Sequence, residues 1–258
     1  MAQATYSIRA LVLRKTKLNE SDLICTFLAE DGSQIRAVAK GARKPTSSFA
    51  SRLELFSIDD LLLAKGRNLD IVKEARLVEG FDPLRISLEH TACASSCVEF
   101  LDRVSQLGLK SPMLFALAQA TFTHMSASDA RKAIQLTAAF LLKALSYSGV
   151  RPSLAHCVSC GEDTTGYLED TDRMMHISYI EGGVVCDACH AGSDTVIVPA
   201  PMLSWAHSLL HATLEQIDDF VVDDDVSFAL LRFCQTWART HFSINLKSLN
   251  FLFTCAST

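Results

Sequence analysis

"SDLICTFLAEDGSQIRAVAKGAR", residues 21–43, decides the fold. Two strand-like runs flank Asp31-Gly32. An Asp-Gly pair in that setting is a strong hairpin signal, because both turn positions favour positive φ. Upstream, "YSIRALVLRKT" places Ile8, Leu11 and Leu13 among β-formers. Downstream, "SRLELFSIDDLLLAKG" and "LDIVKEARLVEG" read as two more strands around the turn Gly66-Arg67-Asn68. Five short strands joined by small turns, with few helical periods among them, predict a small closed barrel. An OB-like barrel is the common five-stranded solution, with an SH3-like barrel as its rival.

After "FDPLR" the period changes. Residues 86–107, 113–125 and 129–148 carry apolar side chains at helical spacing, with Ser128-Asp129 as a start and Gly149 as a stop. Helical periodicity resumes over 199–214 and 225–242. The expected fold is therefore α+β. An OB-fold barrel over residues 1–80 is followed by a helical domain over 81–258, which a polar insertion at 153–195 interrupts.

Of 258 residues, 49% are hydrophobic and 21% charged, the balance of a chain with a buried core. Apolar runs are too short to cross a bilayer as helices, and "MAQATYSIRALVLRK" reads as a first strand, not as a secretion signal. The expected location is cytoplasmic and no membrane partner is expected. In that compartment nine cysteines stay reduced. The net charge of −5 divides unevenly, +3 over residues 1–80 and −8 beyond, which suggests two modules with different partners.

"HCVSCGEDTTGYLEDTDRMMHISYIEGGVVCDACH", residues 156–190, holds two Cys-x-x-Cys pairs: Cys157 with Cys160, and Cys186 with Cys189. Two such knuckles supply the four tetrahedral ligands of a structural Zn2+ ion. The 25-residue spacer exceeds the usual 15–20 or so, with room for a hairpin whose strands are "TGYLED" and "MMHISYI". "CDACH" also matches a haem-attachment pattern, but that requires export and leaves the first pair unexplained. A thioredoxin-type dithiol would follow a strand within a βαβ unit, which this context lacks. His156, Glu162, His176 and His190 lie near enough to serve an open, catalytic zinc, yet four cysteines already close the shell. Cys25, Cys93, Cys97, Cys234 and Cys255 read as buried small hydrophobes.

"AKGARKPTSS" gathers Lys40, Arg43 and Lys44 beside a Gly and a Pro at the end of the third strand, a pattern suited to phosphate contact. Arg14, Lys15 and Lys17 end the first strand on what is expected to be the same face. Phe49 and Phe56 could stack on bases, although Phe56 fits a core position better. Signatures of hydrolases, nucleotide-binding loops and zinc proteases are absent, and no enzymatic activity is expected. The acidic run Asp218, Asp219 and Asp223 to Asp225 lacks ligand spacing and reads as a loop and helix start. His207 and His211, four apart, are surface or core histidines on this reading.

The order of these features resembles the bacterial recombination mediator family RecO. The resemblance rests on "RALVLRKTKLNESDLICTFLAEDGSQIRAVAKGARKPTSSFASRLELF", with its Asn-Glu-Ser-Asp and Lys-Gly-Ala-Arg-Lys segments. It extends to Gly66-Arg67-Asn68-Leu69, "CVSCG…GGVVCDACH" and "HFSINLKSLNFL", and so spans nearly the whole chain. It implies an OB domain, a helical domain and a zinc-binding insertion. It also implies a non-enzymatic role in recombinational DNA repair, binding and annealing single- and double-stranded DNA. With RecR such proteins help load RecA onto strands coated by single-strand-binding protein (SSB). Carried onto this sequence, the DNA contacts fall on Lys40, Arg43 and Lys44, with Arg14, Lys17 and Arg52 beside them. Docking of the acidic C-terminal tail of SSB falls on Arg131, Lys132 and Lys143. The competing reading is a zinc-stapled protein-interaction or transcription-regulating module without an annealing role.

Overall fold

The computed structural model describes residues 4–49 and 52–255, with the backbone alone for Cys255, whose expected burial therefore lies outside the described side chains. Two compact units divide it, Met1–Ser126 and Ala127–Thr258. In the first, β1 (Thr5–Lys17), β2 (Leu23–Ala29), β3 (Gln34–Ala39), β4 (Ile58–Ala64) and β5 (Asp70–Glu79) close into a barrel ordered β1-β2-β3-β5-β4. The long first strand makes closure possible. Its first half pairs with β4 and its second half with β2, and the register slips between Val12 and Arg14 so that one strand can turn between two partners. The seam is the parallel contact of β3 with β5, at Ala37 opposite Asp70 and Val38 opposite Ile71. This is the OB arrangement.

Alternation fills the barrel. Ala10 and Val12, Cys25 and Phe27, Ala37 and Ala39, and Leu61 and Leu63 all point into one cluster. The small alanines leave room for Phe27 and for Leu53, which enters from the loop before β4. Leu11 and Leu13 take the opposite face of β1 and are buried there too, because α1 (Leu88–Val104) packs across β1 and β2. Ser87 caps that helix, its side chain accepting from the His90 N–H. A second helix, α2 (Pro112–Ser126), sets Phe122 edge-on against Phe56 and Phe81, with ring centroids 5.9 and 5.7 Å away. Phe56 has φ of 76°, a left-handed conformation costing a non-glycine residue about 1–3 kcal/mol. Burial of its ring to 1% exposure returns a similar amount. Phe56 is thus a core residue with no face for a base, and Phe49 is half-buried against the barrel interior.

The barrel ends at Glu79, but the compact unit runs on to Ser126. The Gln34 amide N–H donates to the Gln106 carbonyl at 3.0 Å and its side chain to the Asp102 carbonyl at 2.9 Å. A Cβ on Gly32 would fall 2.1 Å from the Ser111 carbonyl oxygen, so only glycine lets the β2–β3 turn lie against that backbone.

The second unit holds α3 (Ala130–Tyr147), α4 (Ala200–His211), α5 (Leu214–Asp218), α6 (Asp224–Phe242) and α7 (Lys247–Cys255). Asp129, within the expected start Ser128-Asp129, caps α3 by accepting from the Lys132 N–H at 2.8 Å. That helix is buried along most of its length and packs on α4 and α6. A three-stranded sheet ordered β7-β6-β8 unites β6 (Met174–Ser178), β7 (Gly183–Val185) and β8 (Val196–Pro199). Tyr179, just after β6, packs on Phe233 and Trp237 of α6 at 5.5 and 5.7 Å, tying the insertion to the helices.

Three expectations change. "TGYLED" is not a strand: residues Thr165–Glu169 form a 3-10 turn, because the Asp163 carboxylate accepts both the Thr165 N–H and its hydroxyl at 2.9 and 2.6 Å. The partner strands of "MMHIS" are β7 and β8 instead. The single helix expected over 199–214 stops at His211, and Thr213 starts a new one through a capping box with Gln216. The acidic run behaves as expected: Asp223 is the N-cap of α6, and Asp224 and Asp225 lie in its first turn. Among the described residues, no helix is long and apolar enough to cross a membrane.

Candidate nucleic-acid interface and metal centre

The basic loop is built on the turn that precedes β2. Asn19 folds residues 19–22 by accepting the backbone N–H groups of Ser21 and Asp22 on its side-chain oxygen, at 2.9 and 2.8 Å. Asp22 then accepts the Gly41 N–H at 2.7 Å, and that bond, with those from Asn19 and Ser21, holds its carboxyl below the ordinary range. Ser21 accepts the Arg43 N–H at 3.0 Å. The Arg43 guanidinium closes the stitch by donating to the carbonyls of Asn19 and Glu20 at 2.7 and 2.9 Å. The Asn-Glu-Ser-Asp segment is therefore a scaffold for the basic loop.

Strand register sets the rest. Lys17, Leu23 and Ala39 share one row across β1, β2 and β3, and Lys40 follows Ala39, so Lys17 and Lys40 lie at the same barrel rim. Lys17, Lys40 and Lys44 are exposed and form no ion pair among the described residues. Arg14 is exposed but its Nε lies 2.8 Å from an Asp102 carboxylate oxygen, and Lys15 pairs with Glu54 at 2.8 Å. Arg52 is exposed and donates to the Ala75 carbonyl at 3.2 Å. Of the six cations expected to meet DNA, three are unpaired at the rim and three are tied to the protein.

Sequence reasoning missed a groove of about 880 Å³ beside the β3–β5 seam, lined by Tyr6, Arg9, Arg36, Lys65, Arg67 and Asp70 among others. Arg9 is committed to Asp60 at 2.9 Å, and Lys65 sits 4.3 Å above the Tyr6 ring. Arg36 and Arg67 are exposed. OB barrels present nucleic acid to the face of strands 2 and 3 and to the loops joining strands 1–2 and 4–5. Arg67 occupies that second loop. Its charge beside Gly66 is the signal in the sequence, and the strength of the turn signal there hides it.

In the second unit, the sulfurs of Cys157, Cys160, Cys186 and Cys189 all lie within 4.8 Å of one another. Among the described residues no histidine or carboxylate joins them as a metal-holding group. Gly161, with φ of 78°, reverses the chain after the first knuckle. A Cβ on Gly183 would fall 2.4 Å from the Ser153 carbonyl oxygen, so that glycine lets β7 approach the segment leading to the first knuckle. Burial opposes ionisation of Cys157, but N–H groups of Cys186, Cys160 and Ser159 outweigh it and bring the thiol down to about 6. Cys186 is pushed up to about 12, chiefly by its hydrogen bond with Glu162 and then by burial. Four sulfurs this close, none in a disulfide and one with its thiolate favoured, fit a tetrahedral metal ion. His176 and His190 stack on each other at 4.1 Å, and His190 faces the Asp187 carbonyl at 2.8 Å.

The three cations expected to receive a protein tail have mostly internal duties. Lys132 donates to the Ile217 and Phe220 carbonyls at 2.9 and 2.7 Å, and Lys143 to those of Leu210 and Ala212 at 3.0 and 2.6 Å. Both thus satisfy carbonyls at and beyond helix C-termini. Arg131 pairs with Asp224 at 3.0 Å and is 65% exposed.

Residues 1–81 match the family described as Recombination protein O N terminal, and residues 85–250 match Recombination protein O C terminal. A DNA repair protein RecO of Alkaliphilus metalliredigens is 30% identical over 241 residues, 92% of this chain and 94% of that one. That of Symbiobacterium thermophilum is 29% identical over 257 residues, 98% and 99% of the two chains. One from Desulfitobacterium hafniense is 32% identical over 217 residues, 83% and 76%. With two family matches that together take in the barrel, the helices and both cysteine knuckles, the chain belongs to the recombination protein O family.

Proposed function

We propose that this protein is a DNA-binding mediator of recombinational repair that works without making or breaking bonds. The observation that carries this reading is the rim of the barrel. There the turn at residues 19–22 holds the loop that carries Lys40 and Lys44, Lys17 shares the rim with Lys40, and no carboxylate lies within ion-pair distance of any of the three among the described residues. Unpaired cations on a rigid rim screen the repulsion between phosphates, so two strands can approach while base pairing supplies the specificity. Arg14, Arg43 and Arg52 steady that surface, and Arg36 and Arg67 extend it along the groove.

The protein would bind single- and double-stranded DNA, anneal complementary strands, and with RecR favour RecA loading on SSB-coated DNA in the cytoplasm. The SSB tail would meet Arg131, whose charge faces solvent, with Lys132 and Lys143 shaping the ground beneath it. The four cysteines would hold one Zn2+ ion, whose contribution is structural: it fixes an insertion too small to form a core.

The test is DNA binding and annealing by K40A/R43A/K44A across a salt series. Affinity should fall. The slope of log K against log salt should flatten by about 0.7 for each phosphate on a single strand that the variant no longer neutralises. An unchanged slope would refute the loop as the interface.

A further inference from the structure

A separate cleft of about 280 Å³ lies in the second unit, between residues 151–156 and the last turn of α4. Its wall carries Arg151, His156, His207 and His211 and, among the described residues, no carboxylate. The Arg151 Nη2 lies 2.6 Å from Nε2 of His211. A guanidinium can only donate, so Nε2 accepts and the ring proton sits on Nδ1. The second contact agrees: Nδ1 lies 2.8 Å from the His207 carbonyl. Both bonds are satisfied by one neutral tautomer. Among the described residues, the guanidinium therefore bonds to an uncharged ring and pairs with no carboxylate.

The neighbours sharpen the imbalance. Lys143 approaches from α3, its ammonium already given to the carbonyls of Leu210 and Ala212. Burial, and after it the Arg151 charge, holds the Lys143 pKa down. Burial again, with the Arg151 charge adding to it, does the same to His207, whose ring lies 4.3 Å from that of His211. The Arg151 charge thus acts on both Lys143 and His207, and among the described residues no carboxylate lines the cleft to offset it, inside the acidic part of the chain. An anion would offset that charge. A phosphate suits the fork of a guanidinium, and imidazole faces can receive the adjoining sugar or base.

We propose that this cleft binds a backbone phosphate of a nucleic-acid strand, with Arg151 as the principal donor and His207 and His211 beside it. Nucleic acid as the carrier rests on the proposed function, whereas the oxyanion site itself does not. The site adds a second DNA contact on the helical unit, apart from the barrel rim.

The test is NMR of the histidine side chains in the full chain, assigned with H207Q and H211Q. It is titrated with inorganic phosphate and, separately, with a single-stranded ten-residue oligothymidylate. Wild type, K40A/R43A/K44A and R151Q are compared, with thermal melting as the check on folding. Both probes should move the His207 and His211 signals in wild type and in K40A/R43A/K44A, and neither should in R151Q. In the K40A/R43A/K44A background, adding R151Q should weaken oligonucleotide binding by about three- to tenfold at low salt. Silence towards both probes would overturn the site, even if anisotropy still showed DNA binding at the rim. A response to phosphate alone would mark an adventitious ion only and overturn the nucleic-acid carrier. If no variant bound the oligonucleotide, the DNA-binding reading would fall with it.

Discussion

The backbone N–H of Cys186 points at the sulfur of Cys157 across 3.3 Å, so the second knuckle donates to a ligand of the first. The two halves of the four-cysteine cluster are thereby interdependent without any ion. C157S or C186S should abolish stoichiometric zinc, read by elemental analysis. Either should also cost the second unit several kcal/mol in denaturant unfolding, because binding free energy at such a site is folding free energy. The first unit should be unaffected.

Asp59 gives a pH dependence of defined sign. Its carboxyl is fully buried in the barrel wall; Oδ2 accepts the Ser57 hydroxyl at 2.7 Å, and Oδ1 has no hydrogen-bond partner among the described residues. Burial pushes it up from 3.8 to about 6. The folded state therefore holds a proton that the unfolded chain releases near pH 4. The stability this gives is fully present below that pH and is lost as pH rises through about 6. The loss is up to about 3 kcal/mol. D59N should flatten the melting profile between pH 4 and 7 and raise the melting temperature at pH 7.5. A wild-type profile that rises over that interval would contradict the assignment.

Arg43 and Lys44 are neighbours with different tasks. Arg43 binds the carbonyls of Asn19 and Glu20, whereas Lys44 binds no carboxylate among the described residues. R43A should speed proteolytic cleavage within residues 40–49 as well as weaken DNA binding. K44A should weaken DNA binding by a few-fold and leave the cleavage rate alone.

Lys143 and Arg131 also separate cleanly. K143M leaves the carbonyls of Leu210 and Ala212 without their charged donor and should destabilise the protein by about 2–4 kcal/mol. R131A removes an exposed pair with Asp224 and should cost less than about 1 kcal/mol. Equal losses in the two variants would show that Lys143 is no cap.

The barrel was legible because its information is local: alternation in β2 and β3 and the Asp31-Gly32 turn. Cys-x-x-Cys spacing exposed the four-cysteine cluster for the same reason. What escaped depends on distant partners. Nothing in "TGYLED" announces that Asp163 will capture Thr165 and coil the segment. Nor does "KSLNFLFTC" announce α7, since it is short and its apolar residues bear no cap signal. Lys132 and Lys143 looked like ligand-binding charges because a sequence does not show which carbonyls will end up beneath them. The Arg151–His211 pair joins residues sixty positions apart and left no pattern at all.

The contact of Gly32 with Ser111 bears on how the barrel can be moved between proteins. The family boundary falls near residue 81, yet the β2–β3 turn is welded to the linker between α1 and α2. A chimera cut at residue 81 would leave the α1-covered face of β1 and the Phe56 ring bare. The transplantable cassette is instead Met1–Ser126, the barrel together with the two helices that clasp it.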